Sequence, residues 1–199
     1  MMTAGLLQAF ADWSADGESL VLATVYETEG STYSKAGAQM LIAGDGRFHG
    51  MLSGGCLEGD LAERARTVLE TGAVEAVTYD LGQSDEELWG LGVGCDGLMR
   101  IFLQPLSASQ AYEPFATMAR ALAGDTEQVA ATIIESSVDG IKPGATLVTV
   151  DGELAWHDID DQSTEILSGV IGRTLLDSQS TMQDISLGGG SVRALFAVL

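Results

Sequence analysis

The chain has 199 residues, 46% of them hydrophobic, enough to bury one sizeable core or two smaller ones packed together. Nine basic against twenty-nine acidic residues leave a formal net charge of -20, spread over both halves, which repels nucleic-acid phosphates and anionic membrane surfaces. No apolar run is long enough to cross a bilayer and the first residues lack the basic segment of a leader, so the two cysteines read as free thiols of a cytoplasmic protein.

Along the chain, the pattern predicts a β-rich run from Leu20 to Glu27 and a second from Ala38 to Ala43, with Asp45 and Gly46 forming a hairpin turn after it. Leu57, Leu61, Ala65, Val68 and Leu69 then recur at helical spacing, and Gly72 stands where a C-cap belongs. A strand from Leu98 to Leu103 closes this unit, and Tyr112 to Leu122 reads as a connecting helix. The plan then repeats. Runs from Val129 to Glu135 and from Ala145 to Val150 lead to a turn at Asp151 and Gly152. A helix carrying Ile166, Leu167, Val170, Ile171 and Leu175 follows, and the last strand is Val192 to Val198.

The repetition extends to residue identities. Ala23–Glu27 is echoed by Ala131–Glu135, Lys35–Ala38 by Lys142–Ala145, Arg66–Leu69 by Arg173–Leu176, and Leu81 and Gly82 by Leu187 and Gly188. We therefore expect an α+β body of two related β-rich halves, a pseudo-repeat, each with a helix packed on mixed or largely antiparallel sheet. Residues 1–106 form the motif-bearing half, and residues 107–199 a degenerate second half without the cysteine and glycine motifs. Two copies that share a scaffold and differ in their loops place the chemistry in the loops of the first.

Three of those loops stand out. In Glu29–Gly37, Gly30 and Gly37 permit unusual backbone angles while Ser31, Thr32 and Lys35 offer donors to an anionic ligand, although the composition is also that of an ordinary loop. In Ser53–Cys56, Gly54 and Gly55 let a backbone approach a ligand at a helix start, where unpaired amides attract anions. Cys56 is thus a candidate nucleophile, metal ligand or sulfur carrier, with Glu58 and Asp60 opposing a thiolate; a small cysteine packing a tight turn is the plainer alternative. The third loop, Gly90–Gly97, has four glycines in eight residues with Gly94 and Cys95 among them, and Asp96 makes Cys95 the weaker nucleophile.

Other chemistries have less support. The cysteines are far apart, no Cys-x-x-Cys occurs, and the only histidines are His49 and His157, so a structural zinc site is poorly founded. A catalytic pair of Cys56 with His49 or Lys35 would make the chain a thiol enzyme or redox protein, and a homodimeric scaffold is a third reading. The glycines 188–190 lack the following helix that a dinucleotide fingerprint requires.

The three loops in this order resemble the XdhC/CoxI family of accessory proteins for molybdenum hydroxylases. The matching pieces are Leu22–Val25, Gly30 and Ser31 with Gly37 and Ala38, Ser53–Glu58, and Gly92–Gly97 followed by a strand ending in Pro105 and Leu106. The resemblance implies a maturation factor that binds the molybdenum cofactor (molybdopterin) transiently and helps sulfurate or insert it into an apoenzyme of the xanthine dehydrogenase or CO dehydrogenase type. It implies cofactor binding by Gly30, Ser31, Lys35, Ser53, Gly54, Gly55, Cys56, Glu58, Gly94 and Cys95, with the phosphate on the Gly54 and Gly55 amides and Cys56 facing molybdenum or its sulfur. The implied partners are the molybdenum hydroxylase apoenzyme, a cysteine desulfurase, a separate Rossmann-domain protein of the same family and a second copy of the chain, with no nucleic acid and no membrane. The chain departs from the family in having Ser34 where an arginine is usual and Asp96 where glycine or asparagine is usual, and it resembles the N-terminal-type domain without the C-terminal Rossmann domain.

Overall fold

The computed structural model describes residues 4–81, 97–123, 126–177 and 179–199. The first half contains α1 (Ala4–Ala15), β1 (Leu20–Glu29), β2 (Gln39–Ala43), β3 (Phe48–His49), α2 (Glu58–Thr71), β4 (Glu75–Asp80) and β5 (Leu98–Leu106). A short 3-10 turn and α3 (Phe115–Ala123) lead to β6 (Gln128–Ser136), β7 (Thr146–Val150), β8 (Glu153–His157), α4 (Asp161–Asp177), β9 (Thr181–Leu187) and β10 (Gly190–Val198). None of the described helices is long and apolar enough to cross a membrane.

The strands form two five-stranded sheets in the orders β3-β2-β1-β5-β4 and β8-β7-β6-β10-β9, and every ladder is antiparallel. The pseudo-repeat thus holds down to strand order, and of the two sheet types expected the antiparallel one is found. It holds in register as well. His49 lies opposite Leu41, and His157 opposite Leu147. The β1–β5 ladder skips a residue at Tyr26 and the β6–β10 ladder at Ile134, so the same bulge recurs at the same point of each half.

β1 is buried on both faces along most of its length, which explains its near-continuous apolar sequence. One face, with Val21, Ala23 and Val25, packs under Leu61, Ala65 and Val68 of α2; the corresponding face of β6, with Val129, Ala131 and Ile133, packs under Leu167, Val170 and Ile171 of α4. The other faces meet each other. Tyr26 and Phe102 of the first sheet join Ile134, Leu195 and Ala197 of the second, so both bulged residues lie in the seam. At one end of the seam α1 and α3 cover the sheets, with Leu6, Phe10 and Phe115 beside Leu22, Leu41, Ala130 and Val148. Phe10 meets Phe115 edge-on, at 4.9 Å between ring centroids. At the other end an ion-pair network spans the sheets. The Glu27 carboxylate accepts from Arg100 Nη1 at 2.8 Å and from Arg193 Nη2 at 2.8 and 2.9 Å.

Helix α3 begins at Phe115, three residues after the sequence places it, because Ala111 and Tyr112 take left-handed backbone angles and Pro114 disfavours helix before it. The Glu113 carboxylate then caps its first turn by accepting from the Thr117 amide and hydroxyl. The glycines 188–190 form the β9–β10 turn and the start of β10, with Gly188 and Gly189 at φ 47° and 108°.

Candidate functional site

The first loop joins β1 to β2, the second runs from β3, the other neighbour of β2, to α2, and the two loops touch. The 30–38 loop is closed at its base, where Gly37 N-H donates to Val25 O at 2.8 Å and Val25 N-H to Ala38 O at 2.9 Å. Within it, the Thr32 hydroxyl donates to Ser34 O, and Lys35 Nζ lies 3.3 Å from Thr32 Oγ1. Two contacts join this loop to the 50–57 loop. The Tyr33 ring lies over Gly54, where a Cβ would stand 3.3 Å from a ring carbon, and Ser34 Oγ donates to Met51 O at 3.4 Å. Gly54 also has φ 81°, so both space and backbone call for glycine there.

Of the third loop, Gly97 is described, and it is pressed onto the first loop. A Cβ on it would lie 2.5 Å from Ser31 O and 2.8 Å from Glu29 O. Its carbonyl accepts from Leu81 N-H, which ties the ends of β4 and β5 to the Ser31 turn. The segment from Gln83 to Cys95, with Gly94 and Cys95, lies outside the described residues, as does Asp96.

The Ser53–Cys56 turn is built around Glu58. This side chain, on the first turn of α2, is 2% exposed and points back under the loop. One carboxylate oxygen accepts from the Leu52 and Ser53 amides, both at 2.9 Å; the other accepts from Ser53 Oγ at 2.5 Å and the Gly55 amide at 3.0 Å. Ser53 Oγ in turn accepts from Leu57 N-H at 2.8 Å, so the helix start is capped from within. Burial pushes the Glu58 carboxyl up, but the Ser53 hydroxyl and the Ser53 and Leu52 amides outweigh it and hold the group below the usual glutamate range.

The consequence for an incoming anion is direct. The Gly55 amide, expected from the sequence to receive a phosphate, already donates to Glu58, and Glu58 and Ser53 are buried beneath the turn instead of facing a ligand. Gly54, Gly55, Ser31 and Lys35 are exposed on the outer side, beside Tyr33 (61% exposed) and Met51 (50% exposed). Cys56 is a free cysteine, half-buried, with its inner side against the first-half core. Tyr33 and Met51 did not stand out in the sequence. The signal for Tyr33 was a large aromatic ring between Gly30 and Gly37.

His49 does not reach toward this turn. Its ring lies against Gly5 of α1, where a Cβ would collide with Nε2, so the geometry offers no Cys56–His49 pair. Lys35 makes its contact with Thr32. Among the described residues no group of three or more His, Cys, Asp or Glu side chains is gathered as a metal-binding cluster.

The fold is an αββα sandwich with a cysteine on a braced glycine turn, met by a second glycine-bounded loop. Residues 13–80, which contain both loops and α2, match the model of the XdhC and CoxI family. The chain is 39% identical over 92 residues to a probable xanthine dehydrogenase subunit of Bacillus subtilis (strain 168), covering 46% of this chain and 28% of that protein. It is 31% identical over 94 residues to the molybdenum cofactor insertion chaperone PaoD of Escherichia coli (strain K12), covering 47% and 29%. The crystal structure of a xanthine dehydrogenase from Bacillus halodurans superposes with a TM-score of 0.63 at 27% identity, over 79% of this chain and 46% of that one. The chain therefore spans less than a third of the length of these curated relatives and about half of the solved chain.

Proposed function

We propose that this chain is a maturation factor for a molybdenum hydroxylase, which holds the molybdenum cofactor at the Cys56 turn and passes it to the apoenzyme. The observation that carries the reading is the presentation of Cys56 within the family segment, on a turn whose backbone is fixed from below by Glu58 and whose outer side is open. A soft thiol sulfur suits molybdenum or its terminal sulfur. The phosphate end of the pterin would lie toward Ser31 and Lys35, because the Gly55 amide is committed to Glu58, and the exposed Tyr33 ring offers a face to the flat pterin. Gly30, Gly54 and Gly55 leave room for the ligand; Gly94 and Cys95 complete the site in this reading. The apoenzyme, a cysteine desulfurase, a Rossmann-domain protein of the family and a second copy of the chain are its partners in the cytoplasm.

The test is co-elution of freshly released molybdenum cofactor with the purified protein, read by pterin fluorescence, for wild type, Cys56→Ala and Cys95→Ala. Saturable binding by wild type that is lost in Cys56→Ala is expected. Binding and apoenzyme activation by Cys56→Ala at the wild-type level would sink the reading.

A further inference from the structure

Cys56 sits between two fixed points. On one side the Gly55 amide is bound to Glu58; on the other the Leu57 amide is bound to Ser53 Oγ, which itself donates to Glu58. One carboxylate thus gathers four donors from three residues and, through Ser53, the start of α2. A pair of oxygens receiving converging amides at a helix start is the arrangement a bound anion makes, and here the chain supplies the anion itself. We propose that Glu58 is the positioning residue of the site: its carboxylate fills the anion cradle of the Ser53–Gly55 turn and thereby holds Cys56 in the half-buried pose from which it meets its ligand. This deepens the maturation reading and rests on it for the identity of that ligand.

The assignment has a specific chemical consequence. The cradle recognises a carboxylate, not merely a side chain of glutamate's volume, so a small carboxylate from solution can replace the one removed by mutation. A residue that only fills space would show no such rescue.

In a Cys95→Ser background, so that one thiol reports, Glu58→Ala is expected to raise the rate of Cys56 alkylation by iodoacetamide about tenfold, as a freed turn lets the thiol leave the core. Acetate added to the buffer is expected to bring the rate back toward wild type, while chloride at equal ionic strength does not. Glu58→Gln, which keeps the volume but replaces one acceptor oxygen by a donor, is expected to raise the rate by a smaller factor that acetate does not change. Circular dichroism establishes that each variant is folded; if Glu58→Ala is not, the Gln variant decides alone. Wild-type alkylation rates in the folded variants, or a Glu58→Ala rate that acetate and chloride shift equally, would overturn the proposal. Cofactor binding separates the two readings. Cofactor binding by Cys56→Ala at full strength removes the maturation reading and leaves the alkylation result standing, whereas loss in Cys56→Ala with an unchanged Glu58→Ala removes only the role of Glu58.

Discussion

The two helix entries of this molecule are copies of one design with different contents. In the first half the chain reaches α2 through two glycines and a cysteine, with Glu58 turned back to collect four donors from the turn. In the second half the same position is a compact cap. Asp160 Oδ1 accepts from Ser163 N-H at 2.9 Å, Asp158 accepts from Thr146 N-H at 2.6 Å, and His157 Nδ1 lies 2.9 Å from Ile159 O. The second entry closes on itself by an ordinary N-cap, while the first is held open on its outer side by an internal brace. The groove beside each helix differs in the opposite sense. Asp60 bonds Arg64 and Tyr79 in the first half, and Arg64 also bonds Glu75, which ties α2 to β4. At the offset set by Leu81 and Leu187 the positions of Asp60, Arg64 and Tyr79 become Ile166, Val170 and Ile185, which line an open groove of about 740 Å³ between α4 and β9. What the halves keep in common is their core; what distinguishes them lies at the helix entry and the outer strand.

The first way to break this comparison is in the core, where it predicts equality. Leu61 and Leu167 are both fully buried under their helices, so Leu61→Ala and Leu167→Ala are each expected to cost about 2–5 kcal/mol in denaturant unfolding. A difference between them larger than that span would show that the halves are not mechanically equivalent.

The second is acid, where the comparison predicts opposite signs. Glu58 is held below the ordinary carboxylate range, so its ionised form stabilises the fold at neutral pH, and this contribution fades as pH falls through its folded-state value, below 4.5. Asp158 is shifted up, chiefly because its carboxyl is desolvated, against the pull of the Thr146 amide. Its ionisation therefore weakens the fold as pH rises above 3.8 through its folded-state value. Glu58→Gln should then lose stability at pH 7 and approach wild type in acid, whereas Asp158→Asn should gain at pH 7 and lose that gain in acid. Thermal melts from pH 3 to 7 read both, and parallel curves for the two variants would contradict the assignment.

The smallest effect expected is on the surface. Tyr33 is exposed, with its ring over Gly54, so Tyr33→Ala should change the unfolding free energy by less than about 0.5 kcal/mol. It should nevertheless weaken cofactor retention, and a variant that retains cofactor as wild type does would remove Tyr33 from the site.

The duplicated plan was legible in the sequence because repeated identities such as Ala23–Glu27 and Ala131–Glu135 mark strands buried on both faces, where composition is constrained. The outer strands β4 and β9 were not foreseen. Glu75–Asp80 and Thr181–Leu187 mix charged or polar residues with few apolar ones, as half-exposed edge strands do, and carry little periodic signal. Helix α1 was missed for a related reason: Leu6, Leu7, Phe10 and Trp13 pack at the end of the seam, a surface that exists only once both sheets are assembled. The turn itself was legible as a glycine turn with a cysteine at a helix start. The direction of Glu58 was not, since a glutamate two residues after that cysteine reads the same whether it faces a ligand or its own backbone.

Glu27 gives the assembly a property that neither half has alone. It lies on the strand that ends at the Ser31 loop, and it shares one carboxylate between an arginine of each sheet. Through that one side chain the strand that leads into the Ser31 loop is tied to the second sheet as well as to its own.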